Sequence, residues 1–200
     1  MTTWVENPQG GRARGPGAIA RSWVEVLIRP SRFFRTGIAP GDQAPGLVFA
    51  VCVAVAFAGG RFLFDPATVP TAFGGPTVSA VVSLLFVAVF IAPASLHLTA
   101  ALQTVLLILV VRDRAGISET VQVLAYATAP CALAGVPIPE LRVACALYGA
   151  GLLALGIREI HETSTLRAAT ATLVPAALVF GYGFRGIDAA ATLLSRWYII

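Results

Sequence analysis

Lysine is missing altogether from this 200-residue chain, and charge of either sign is scarce: 12% of residues are charged against 57% hydrophobic. An ordinary soluble domain carries about a quarter of its residues as charges. The shortage excludes a solvated surface over most of the chain, and the absent lysine excludes a Walker phosphate loop. Cysteine is limited to Cys52, Cys131 and Cys145, each inside an apolar run and none in a C-x-x-C or Cys/His cluster, which argues against structural disulfides and zinc. There is no G-x-S-x-G, no H-E-x-x-H and no pair of acids within an apolar run. The sequence therefore offers no catalytic residue, metal site or cofactor, and the expectation is a protein that is not an enzyme.

What is present is arginine and long hydrophobic runs. Of the fourteen cations, all arginine, six precede residue 36, and the net charge is +4. With no aromatic interleaving or nucleic-acid-binding pattern, the cluster speaks against nucleic acid as a partner. It marks instead the cytoplasmic face of a membrane protein, with the lipid bilayer and anionic headgroups at that face as partners. The first long run follows this polar leader, so no cleavable signal peptide is expected and the first span should itself direct insertion.

Apolar runs at 46–64, 78–111, 118–135, 139–158 and 164–184 predict an all-α polytopic bundle of five spans. The second run is too long for one crossing: 34 residues make a helix of about 51 Å. A hairpin at Pro93 would leave residues 78–92 a first arm of only about 22 Å for a core of roughly 30 Å, so one long helix kinked at Pro93 is preferred. With the N-terminus cytoplasmic, five spans place ten arginines inside and leave Arg61, Arg142, Arg185 and Arg196 outside. The C-terminus then lies outside a cell membrane.

Around these spans, residues 1–16 read as a disordered cytosolic leader. Residues 17–36 form an interfacial helix with Trp23 on its apolar face, Arg21, Glu25 and Arg29 opposite as i,i+4 partners, and an aromatic segment after Pro30. In that segment Arg32, Phe33, Phe34 and Arg35 are expected at the headgroup level. A helix packed on the protein's own cytosolic face satisfies the same pattern. Residues 185–200 predict a short C-terminal interfacial amphipathic helix with Ile187, Ala191, Leu194 and Tyr198 on one face.

Inside the spans the polar candidates are few. Ser118 reads as an N-cap, and Pro130 should kink the helix where the carbonyl of Tyr126 loses its donor. His97 is the one histidine in an apolar run; without an intramembrane acid to partner it, a neutral ring bonded to a hydroxyl or to a carbonyl freed by Pro93 is favoured over proton transfer. Gln103, Gln122, Tyr126 and Tyr148 read as interhelical hydrogen-bonding groups. Glu159, His161 and Glu162 lack metal-ligand spacing and read as a solvated helix end. Cys145, Ala146, Gly149, Ala150, Gly151 and Gly156 form a small-residue face for close helix approach.

Several of these motifs together resemble the Yip (Ypt/Rab-interacting protein) domain family: Pro30-Ser-Arg-Phe-Phe34, Leu96-His97-Leu98, Val121 to Pro130 with Tyr126-x-x-x-Pro130, Gly156 to His161, and Ser164 to Ala168. The resemblance covers about residues 28–183 and implies a five-span protein with a cytosolic N-terminus and no known catalytic activity. Eukaryotic members act in vesicle traffic and bind prenylated Rab GTPases; the short Arg-rich leader here fits a prokaryotic-type member. The functional expectation is a non-enzymatic membrane scaffold or partner-docking protein, engaging membrane-protein partners or further copies of itself. The alternative is a small transporter or channel using the kinks around Pro93 and Pro130, with His97 and Tyr126 on the path.

Overall fold

The computed structural model describes residues 15–72 and 74–197, and these form helices joined by short turns, with no strand among the described residues. The expected leader, residues 1–16, lies almost wholly outside this range, as does Tyr198. Helix α1 is Pro16–Ile28, α2 Pro30–Gly37, α3 Ala44–Phe64 and α4 Pro76–Val110. Next come α5 Ile117–Ala127, which runs on as a 3₁₀ segment Ala129–Leu133, then α6 Pro139–Ile160, α7 Thr165–Gly183 and α8 Gly186–Arg196.

Proline largely sets where helices begin: α1, α2, α3, α4 and α6 each carry one in their first two positions, where a missing N–H costs nothing and the fixed φ already suits the helix. Ser164 caps α7 by accepting from the Arg167 N–H at 3.4 Å. Ser118, in contrast, is not a cap. Gly116 takes that place, and the Ser118 hydroxyl inside α5 accepts from the Gly41 N–H at 3.1 Å, pinning the α2–α3 loop.

The long run is one helix, not a hairpin. Helix α4 has 35 residues, about 52 Å at the α-helical rise, and absorbs Pro93 through a π turn at Val87–Ile91. Helix α7 treats Pro175 similarly, with a π turn at Ala177–Gly183. Among the described residues four helices are long and apolar enough to cross a membrane: α3, α4, α6 and α7. Of these α4 is the least buried and leaves Val81, Leu85, Val89 and Phe90 exposed.

The segment expected as the third span is built differently. Its α-helix stops at Ala127 because Pro130 cannot donate to the Tyr126 carbonyl, and the chain tightens into 3₁₀ geometry. It is also the centre of the molecule, buried without interruption from Thr120 to Cys131. Beside it α3 runs parallel. A Cβ on Gly46, near the start of α3, would lie 3.3 Å from Gln122, and one on Gly60, near its end, 3.3 Å from Gly135. Residues 122–135 thus run alongside residues 46–60 of α3, about 21 Å of a helix of spanning length.

Candidate functional site

At one end of the bundle, where α3 begins and α6 ends, α2 is locked down by aromatic packing. Phe33 and Phe34 are fully buried, which agrees with a helix packed on the protein and not with their alternative place at the lipid interface. The Phe33 ring meets Tyr126 edge-on with centroids 4.8 Å apart, and Tyr126 meets Phe49 at 4.9 Å. Phe34 fits over Gly156, where a Cβ would come within 3.0 Å of its ring. This burial has a physical cause: Pro30 turns the chain so that α2 folds back onto α5 and α6, and two phenylalanines are worth more against a close-packed wall than at a headgroup.

Helix α1 follows along the flank. The Trp23 indole N–H donates to the Ala129 carbonyl at 2.8 Å, and the Tyr148 hydroxyl donates to the Leu27 carbonyl. Trp23 is therefore half-buried against the 3₁₀ segment. The expected Arg21–Glu25–Arg29 ladder does not form: Glu25 Oε2 is enclosed without a hydrogen-bond donor among the described residues. Arg21, Arg29 and Arg32 are exposed and have no carboxylate partner there, beside exposed Val24 and Ile28. Arg35 differs, because its Nε lies 2.9 Å from Glu159 Oε2, and Glu159 is also held by Arg158.

The helix end at 158–162 is solvated only in part: Glu162 is exposed, whereas Glu159 and His161 are enclosed. His161 is 2% exposed; its Nδ1 accepts from the Ala115 N–H at 3.1 Å and its Nε2 lies 3.3 Å from the Thr120 hydroxyl. Burial, with Arg114 nearby and only Glu119 opposing, lowers its pKa from 6.5 to about 4, so the ring is neutral at physiological pH. Among the described residues no group of three or more His, Cys, Asp or Glu is placed to hold a metal ion.

The intramembrane polar residues resolve into structural partners. The Gln103 amide donates to the Ala171 carbonyl at 3.0 Å. Ala171 stands four residues before Pro175, so this is the carbonyl whose intrahelical donor the proline removed, and Gln103 supplies the missing one from α4. Gln122 grips Ala39 in peptide fashion, donating to its carbonyl at 2.7 Å and accepting from its N–H at 3.2 Å; it holds a loop, not a neighbouring span. His97 is exposed, with Nδ1 2.8 Å from the carbonyl of Pro93 itself, rather than that of Val89, which Pro93 frees. Pro130 is buried in the 3₁₀ segment.

Sequence reasoning missed two features at the opposite end and side. An apolar groove of about 900 Å³ runs between α3, α4 and the π turn of α7, lined by Ala54, Ala58, Ser83, Val87, Leu96 and Leu178 among others. Beside it a cavity of about 280 Å³ is lined by Arg61, Asp65, Thr68, Arg142 and Arg185. Arg61 and Thr68 belong to both. The legible signal was the Ala50-x₃-Ala54-x₃-Ala58 stripe, which leaves α3 without bulky side chains along one face.

No curated protein and no solved structure matches the chain. A family model does, the Yip1 domain over residues 24–185, which reach from the middle of α1 to the residue preceding α8. On that match, over most of its length, the chain belongs to the Yip1 domain family.

Proposed function

We propose that this protein is a non-enzymatic membrane scaffold that crosses the cell membrane five times, N-terminus cytoplasmic and C-terminus outside, and gathers anionic lipids at its cytoplasmic face. The observation that carries the reading is the pairing of anchor and charge on α1–α2. Phe33 and Phe34 fix the helix pair to the bundle, while Arg21, Arg29 and Arg32 stay exposed, with no carboxylate partner among the described residues. Each such cation near an anionic surface is worth about 1 kcal/mol. Long arginine stems let the guanidiniums reach headgroups while Val24 and Ile28 remain in the apolar layer. The split of arginines between the two ends of the bundle supports the orientation. A transport role draws no comparable support: His97 is exposed and absent from the groove lining, and Tyr126 is packed between two phenylalanines.

The test uses Trp23 as a local probe in the full chain, with Trp4→Phe and Trp197→Phe removing the other indoles. In phosphatidylcholine proteoliposomes, brominated phosphatidylglycerol should quench Trp23 more than the same fraction of brominated phosphatidylcholine does. Arg21→Gln with Arg29→Gln and Arg32→Gln should abolish the excess. Equal quenching by the two lipids in the parent protein would contradict the reading.

A further inference from the structure

Arg61 in the last turn of α3, Arg142 in the first turn of α6 and Arg185 between α7 and α8 come from distant parts of the sequence, yet they line one cavity of about 280 Å³. Three arginines share this lining with one carboxylate, Asp65, so positive charge is in excess there. Asp188 pairs with Arg185 at 2.7 Å. Arg61 and Arg142 have no carboxylate within ion-pair distance among the described residues. Arg142 is held in place by donating to the Ala134 carbonyl at 2.9 Å and the Val136 carbonyl at 3.3 Å. Arg61 sits with its guanidinium 5.9 Å from the Phe57 ring centroid. The scaffold that positions them is tight: a Cβ on Gly135 would come within 2.5 Å of the Phe57 carbonyl, so only glycine lets the α5–α6 turn press against α3 here. Thr68 donates to the Asp65 carbonyl at 2.7 Å and closes the turn over the site.

The cavity opens, through the shared Arg61 and Thr68, onto the apolar groove. Along α3 the groove lining extends from Phe62 back to Ala50, and along α4 from Val82 to Thr99. Those stretches correspond to about 18 and 25 Å of helix. Half of a bilayer's hydrocarbon core is roughly 15 Å thick, so the groove is long enough for an acyl chain descending from the headgroup level. Its volume of about 900 Å³ lies within the roughly 300–1,000 Å³ of ligand sites. The π turns at Val87–Ile91 and Ala177–Gly183 both contribute lining residues, and such turns recur at functional sites.

We propose that the cavity and the groove are one site for an anionic phospholipid, with its phosphate on Arg61 and Arg142 and an acyl chain lying against Ala54 and Ala58. Guanidiniums suit a phosphate by planar, charge-assisted hydrogen bonding, and the alanine stripe suits a chain by leaving room for it. This site is separate from the α1–α2 face and stands or falls independently of it.

The experiment is thermal unfolding of the full chain in a neutral detergent, with added lipid. Phosphatidylglycerol should raise the midpoint, while diacylglycerol, which lacks the phosphate, and glycerol phosphate, which lacks the chains, should not. In Arg61→Gln with Arg142→Gln the apparent affinity for phosphatidylglycerol should fall by about tenfold or more, the loss expected for removing charge-assisted hydrogen bonds. Arg112→Gln, at the other end of the bundle, should behave as the parent. Ala54→Phe fills the groove but leaves both arginines, and should reduce the response to phosphatidylglycerol without lowering the lipid-free midpoint by as much as it lowers the response. The proposal is overturned if diacylglycerol works as well as phosphatidylglycerol, if the response survives loss of both arginines, or if the parent does not respond.

Discussion

Gln103 and Pro175 explain each other. The proline in α7 leaves the Ala171 carbonyl without its helical donor, and the glutamine in α4 provides one at the cost of its own Oε1, which is buried with no hydrogen bond among the described residues. Gln103→Leu should therefore destabilise the protein by about 1–2 kcal/mol in a detergent unfolding assay. The same substitution on a Pro175→Ala background should cost less, because alanine restores the donor to Ala171; equal costs on both backgrounds would show that the two residues are not coupled. His161 gives a pH prediction. Its folded pKa of about 4 lies below the ordinary 6.5, so between those values the unfolded chain binds a proton that the folded one does not. The His161 contribution should be constant above pH 6.5 and fall towards pH 4 by at most about 1.4 kcal/mol per unit, and His161→Gln should remove that part of the slope, leaving the loss below about pH 4.5 that comes from Glu159. The polar residues at membrane depth were legible from their rarity. The buried state of His161, Phe33 and Phe34 was not, because a chain end and a chain folded back on itself share one local pattern; only contacts with Ala115, Tyr126 and Gly156 tell them apart.

At the scale of elements, α6 shows how neighbouring glycines differ in role. Gly156 is where α2 docks, and a Cβ there would lie 2.6 Å from Val123 and 3.0 Å from Phe34; at Gly151 nothing lies within 4 Å. Gly156→Leu should lift α2 and destabilise by about 1–3 kcal/mol, typical of overpacking. Gly151→Ala should be neutral or stabilising by up to about 1 kcal/mol, since it only improves helix propensity. A comparison of unfolding midpoints decides it, and a Gly156→Leu protein as stable as the parent would mean that α2 is not held against α5 and α6. Helix starts at prolines and the unity of the run through Pro93 follow from sequence, the second because a hairpin arm would be too short. The π turns do not, since they reflect how each proline is accommodated by its neighbours. Nor does the groove, which needs α4 and α7 to stand apart from the alanine face of α3. At the C-terminus α8 buries Gly186 and Ala189 on the bundle; of the expected apolar stripe Ile187 and Ala191 are exposed and Leu194 is half-buried.

For the whole molecule the question is the number of crossings. Length and hydropathy select four helices, and four crossings would put both termini on one side. The proposed topology adds a fifth, the segment 117–135. Length and hydropathy pass over it because Pro130 shortens its α-helix and because a stretch of chain wrapped by its neighbours need not be apolar along its whole length. Its path parallel to α3, from Gln122 beside Gly46 to Gly135 beside Gly60, supports a full crossing. The measurement that tests this most directly is the sidedness of the two termini in intact cells, using reporters fused before Met1 and after Ile200 in separate proteins. Five crossings predict that the N-terminal reporter is cytoplasmic and the C-terminal one is outside. Both reporters on the same side would contradict five crossings, and would remove the central helix from the set of membrane spans.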